Sequence, residues 1–130
     1  LRASDRQKIG ASNSRKLGGS ADLDSALRSR FTNEPRWDYV VATTTPSHSE
    51  QLHWIEVHPA SGLHCVDELE AKLSWLKRWL AADGARLSGY SRRFVWIASG
   101  RSAFQQNSPQ MKRLVLAGLY FSGGHYEIST

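Results

Sequence analysis

Between Val66 and Ala82 the apolar residues Val66, Leu69, Leu73, Leu76 and Leu80 recur at helical spacing, with Trp75 and Trp79 widening the stripe and Asp83-Gly84 placed to stop it. A helix that is apolar over so broad a side has to be covered. Both of its flanks read as strands: Leu52 to His58 before it, and Arg93 to Ala98 after it. The second of these is a short continuous apolar run, the kind found where a sheet is covered on both faces. Strands joined by a helical crossover become parallel neighbours, so this segment commits the chain to an α/β fold.

The remaining punctuation completes the order. Ser20 is placed to cap a helix from Ala21 to about Phe31, with Leu23, Leu27 and Phe31 on one stripe and Asp22 and Asp24 in the first turn, where they favour the helix dipole. Asn33-Glu34-Pro35 breaks that helix, and Trp37 to Thr43 is rich enough in aromatic and β-branched residues for a strand. The polar stretch from Thr44 to Gln51 turns the chain, so Leu52 to His58 should return antiparallel to it, stopped by Pro59. Ser108-Pro109 opens a last helix through Met111, Leu114, Val115 and Leu119, expected to end at Gly123-Gly124, and Tyr126 to Ser129 could add an edge strand. The expected order is α-β-β-α-β-α-β, a central mixed β-sheet flanked by helices.

With 130 residues, 40% hydrophobic content and 5 Trp, 4 Tyr and 4 Phe, the chain has enough apolar material for one core. We expect a single α/β domain over residues 19–130 behind a basic flexible tail over residues 1–18. Charge supports that division: Arg2, Arg6, Lys8, Arg15 and Lys16 stand against Asp5 alone, so most of the net +5 belongs to the first 16 residues. Such a tail attracts phosphate without specificity, while the body is close to neutral. Cys65 is the single cysteine, which excludes an intrachain disulfide and a cysteine-built zinc site, and fits a reducing, cytoplasmic setting. No apolar run approaches the roughly 18 residues of a bilayer span, so no membrane association is expected. The chain does not begin with Met and reads equally as a piece of a larger parent protein.

Chemistry concentrates on the two antiparallel strands. Along the second, Trp54, Glu56 and His58 share one face while His53, Ile55 and Val57 share the other, and the more apolar set is expected to face the core. If the strands pair, Asp38 at the start of the first lies beside Glu56. Adjacent carboxylates repel, and a divalent cation is the partner that best relieves them. Asp38 and Glu56 are therefore candidate ligands for Mg²⁺ or Mn²⁺, which could activate a water and stabilise charge on a phosphate oxygen.

Helix, strand with Asp38, strand with Glu56-Val57-His58, long helix, further strand: over about residues 20–98 this resembles the PD-(D/E)XK, or restriction-endonuclease-like, nucleases. The resemblance implies a restriction-endonuclease-like core, a metal held by Asp38 and Glu56, and hydrolysis of phosphodiester bonds in DNA or RNA. It puts His58 where a catalytic lysine is usual, and Lys72, on the following helix, could supply a migrated lysine. A neutral imidazole or third ligand differs from a fixed ammonium. The alternative is a catalytically inactive nucleic-acid-binding or protein-interaction module on the same scaffold, with Trp54 at an interface with a protein partner.

Other candidates weigh less. Arg92, Arg93 and Arg101, at the two ends of the third strand, could contact phosphate or be solvated ends. Glu34 reads as a solvated loop residue. His48, His53, His58 and His64 recur often enough to suggest zinc, but strand parity sends His53 and His58 to opposite faces. Cys65 beside His64 reads as a buried structural thiol.

Overall fold

Phe94, Val95, Trp96, Ile97 and Ala98 are all buried, so the strand that carries them is covered on both faces. The computed structural model describes residues 8–11, 17–22, 26–27, 34–44, 50–60, 63–87, 89–99 and 108–128. In chain order its elements are β1 (Ile9–Ala11), β2 (Leu17–Asp22), β3 (Tyr39–Thr44), β4 (Glu50–Pro59), α1 (Leu63–Ala81), a 3₁₀ turn at Ala85–Leu87, β5 (Ser91–Ser99), α2 (Pro109–Leu116), β6 (Leu119–Phe121) and β7 (Tyr126–Ile128). Five strands make one mixed sheet in the order β2-β3-β4-β5-β6. β2 with β3 and β3 with β4 are antiparallel; β4 with β5 and β5 with β6 are parallel. As the crossover helix required, α1 returns the chain from the end of β4 to the start of β5.

Both described helices pack on the same face. Leu52, Trp54, Phe94 and Trp96 turn toward them and join Val66, Leu69, Leu73, Leu76 and Leu80 of α1 and Met111 and Leu114 of α2 in one cluster. Each fully buried side chain of this size contributes about 1.5–3 kcal/mol of hydrophobic stabilisation. The opposite face, with Tyr39, Val41, Ile55, Val95 and Ile97, is covered by Tyr126 and Ile128 and partly by Ile9. Those residues come from a separate two-stranded parallel ribbon of β1 and β7. The architecture is thus helices, sheet, ribbon. Among the described residues no helix is long and apolar enough to cross a membrane.

The element order departs from expectation at both ends. Where a helix was expected from Ala21, residues Leu17–Asp22 instead form β2, which adds to the β3 edge with a register shift between Leu17 and Gly19. Sheet pairing overrides poor local strand propensity here. Ala26 and Leu27 are helical, and the rest of that expected helix lies outside the described residues. Ile9–Ala11, within the expected tail, is a strand paired with β7. The last helix begins as expected: Ser108 caps it by accepting the Met111 N–H at 3.2 Å, with Pro109 at its first position. It ends early, at Leu116, because Gly118 takes φ +96° and redirects the chain into β6. Tyr126–Ile128 is a strand as expected, but it belongs to the ribbon and not to the edge of the main sheet.

Candidate functional site

The β3–β4 ladder pairs Tyr39 with Ile55, which sets Asp38 opposite Glu56. Each acid then takes a main-chain donor on the other's strand. The Asp38 N–H donates to Glu56 Oε1 at 3.1 Å, and the Val57 N–H donates to Asp38 Oδ2 at 3.0 Å. Lys72 reaches in from α1 and places Nζ 2.5 Å from Glu56 Oε2. It can do so because it stands three residues after Leu69 and four before Leu76, both wholly buried, so its stem runs beside the core stripe. His58 follows on the same side of β4, with Nδ1 3.8 Å from Glu56 Oε2 and Nε2 2.7 Å from Glu68 Oε2. The Trp96 indole donates to the His58 carbonyl at 2.9 Å and holds that end of the strand.

The fold therefore brings Asp38, Glu56, His58 and Lys72 together. It adds Glu68, which the motif did not point to. The signal was in the sequence: Glu68 stands one turn before Lys72, and residues four apart share a helix face.

Burial decides the electrostatics. Glu56 has no exposed surface and Asp38 is buried beside it. The Glu56 carboxyl is pushed up from an ordinary 4.5 to about 8, first by desolvation and then by Asp38, with the Lys72 ammonium and the Asp38 N–H only partly opposing. The short contact to Lys72 favours charge on the carboxylate; loss of solvent around the whole group is the larger effect, and the direction is upward. Near neutrality the Glu56 carboxyl therefore keeps its proton, which removes one of the two negative charges that would otherwise face each other.

Once Glu56 has released its proton, two hard carboxylates with no thiolate are the type of donor that suits a small divalent ion. Lys72 Nζ stands at one oxygen of that pair, Glu56 Oε2. Among the described residues no group of three or more His, Cys, Asp or Glu is assembled to hold a metal.

Two expectations about this region are corrected. The Ile55 and Val57 face is not the sole core face: Trp54 lies within the larger cluster and Glu56, on the same side of β4, meets Lys72 of α1, because a crossover helix must cover the strand it leaves. Trp54 is consequently wholly buried and offers no interface; Trp37, Trp75 and Trp96 are buried as well. His53 does face away from His58, lying 3.2 Å from Thr43 Oγ1 and 2.8 Å from the Tyr126 hydroxyl, which separates the histidines as parity required. Cys65 is buried at the start of α1. Glu34 is exposed and lines a small cleft with Trp75, Arg78 and Trp79. Arg92 and Arg93 stand at the start of β5, paired with Leu52 and His53, away from the carboxylates. Arg101 and His48 lie outside the described residues. Compared with protein-family models, curated proteins and solved structures, the chain matches none.

Proposed function

We propose that this chain is a metal-dependent, nuclease-like hydrolase of phosphodiester bonds in DNA or RNA, built on a restriction-endonuclease-like core. One observation carries the reading: Asp38, just before β3, Glu56 of β4 and Lys72 of α1 converge so that Lys72 Nζ is 2.5 Å from Glu56 Oε2 and the two acids are joined through main-chain N–H groups. The succession of an antiparallel pair, a crossover helix and a parallel strand supports it further.

In this mechanism Asp38 and Glu56 are the residues that would hold Mg²⁺ or Mn²⁺. The ion, when bound, lowers the pKa of a water and stabilises charge on a phosphate oxygen. Lys72 provides the ammonium that a lysine at position 58 would otherwise provide, and it stabilises negative charge at the attacked phosphate. Glu68 engages His58 Nε2, which leaves Nδ1 directed at the carboxylate side, where it can take or return a proton.

A second reading has its own support. Glu56 is fully buried, and both its oxygens already have protein donors; a closed network of that kind suits an inactive module that keeps the scaffold for binding.

Incubation with plasmid DNA and with RNA in Mg²⁺ or Mn²⁺ separates the two. Cleavage is expected, abolished by Glu56→Gln and Asp38→Asn and reduced at least about a hundredfold by Lys72→Met. Cleavage that survives Glu56→Gln would overturn the assignment. Salt-sensitive retention of nucleic acid with no turnover would favour the inactive module.

A further inference from the structure

The sheet ends at β6: among the described residues no strand pairs with its outer side. Tyr120 pairs with Val95, and the Ser122 N–H donates to the Trp96 carbonyl at 3.0 Å. Successive residues of a strand direct their main-chain groups to opposite sides. Tyr120 and Ser122 therefore turn theirs toward β5, and Leu119 and Phe121 turn theirs outward. An edge that presents N–H and C=O groups in this way is a template for a further extended chain, and natural edges are commonly blunted by a charge or a proline. Leu119-Tyr120-Phe121 carries neither.

The two sides of this edge differ in chemistry. On the helix side Leu119 is buried and Phe121 half-buried, and Val115 of α2, 59% exposed, shares a cleft with both. On the ribbon side the Tyr120 ring is 48% exposed, and Arg93 of β5 reaches across it, with Cζ 5.0 Å from the ring centre. Arg93 is exposed, and its neighbours on that side are Tyr120, Tyr126 and His53, none of which supplies a carboxylate to neutralise it.

A strand laid along β6 sends alternate side chains to the two sides. Those beside Leu119 and Phe121 meet apolar surface, and the one beside Tyr120 meets the ring and the guanidinium. The complementary pattern is apolar, acidic, apolar. A second copy pairing through its own β6 would bring Arg93 toward Arg93 and supply no acid, so charge argues against it.

We propose that the outer edge of β6 receives an extended segment of a partner protein in which acidic residues alternate with apolar ones, added to the sheet as a further strand. This edge lies two strands away from β4 and does not rest on the hydrolytic reading of the carboxylates.

A fluorescently labelled peptide alternating valine with glutamate, titrated onto the whole chain, tests it. Binding is expected in the micromolar to millimolar range. At saturation it should slow amide exchange at Leu119 and Phe121 at least about tenfold and leave Tyr120, already directed at β5, nearly unchanged. The same peptide with lysine for glutamate should bind at least about tenfold more weakly. Arg93→Gln should narrow that difference, whereas Arg86→Gln, the same loss of charge on the exposed 3₁₀ turn, should preserve it. N-methylation of alternate peptide amides should abolish binding for one of the two sets and spare the other, because only one side of an added strand faces β6. No binding at millimolar peptide overturns the proposal, as does equal binding of the lysine peptide or binding that neither methylated set disturbs. Slow exchange at Leu119 and Phe121 without peptide, slowing further as protein concentration rises, would also overturn it, by assigning the edge to a second copy.

Discussion

Glu56 is the residue on which the proposed chemistry depends, and its burial is costly to its charged form. A carboxyl with no exposed surface beside a second acid holds its proton to about pH 8, whereas the same group in the unfolded chain releases it near 4.5. The folded state therefore binds the proton more tightly. Its stabilising preference is complete below about 4.5 and is lost as pH rises through about 8. Thermal melting from pH 5 to 9 should show stability falling on the alkaline side, and Glu56→Gln, close in shape to the neutral acid, should flatten that fall. A wild-type profile already flat over this range would contradict the assignment. Addition of Mg²⁺ or Mn²⁺ should raise the melting temperature most above pH 8, where the carboxylate is ionised. The spacing of Asp38, Glu56 and His58 showed these residues in the sequence, and Lys72 was visible as a helix lysine near them. That Lys72 points at Glu56, and that Glu68 holds His58, depends on how far α1 is rotated above the sheet, which no local pattern encodes.

At the scale of elements, long regular patterns were readable and short ones were not. β4 and β5 and the helix between them follow from runs of five or more patterned residues. The end of α2 did not, because Leu119, Tyr120 and Phe121 continue an apolar sequence and three residues are too few to show a period of two. Gly118 was the available sign. With φ +96° it occupies the left-handed region, so although a Cβ there would meet nothing within 4 Å, Gly118→Ala should cost about 1–2 kcal/mol, read from denaturant midpoints at constant slope. A neutral substitution would mean that the turn relaxes. Gly84 is needed for a different reason: a Cβ there would lie 2.6 Å from the Trp79 ring, so the end of α1 is shaped by close approach. β2 is the clearest case of context over propensity, since Gly18-Gly19-Ser20 are poor strand formers that extend because β3 presents an edge to pair with.

The whole molecule is held together by contacts between layers that are remote in sequence. His53 of β4 lies 2.8 Å from the hydroxyl of Tyr126 in β7, joining the sheet to the ribbon, and burial followed by the nearby Arg93 pushes its imidazole down from 6.5 to about 4. The folded state refuses a proton that the unfolded chain accepts, so this contribution is present above pH 6.5 and is lost as pH falls through about 4. Amide exchange in β7 should therefore quicken between pH 6.5 and 4 beyond the intrinsic pH effect, and His53→Asn should remove the excess; equal exchange in both proteins would show that the ribbon does not depend on this contact. The sequence by itself determined an α/β chain with a parallel crossover, a doubly covered central strand and two acids on neighbouring strands, because hydrophobic period and side-chain alternation are properties of the local chain. Only the tertiary structure decided that both described helices share one face, that a ribbon from the two ends of the chain covers the other, and that Glu56 sits under α1 against Lys72. Those outcomes depend on which surfaces bury each other, and that is settled by packing between segments far apart in the chain.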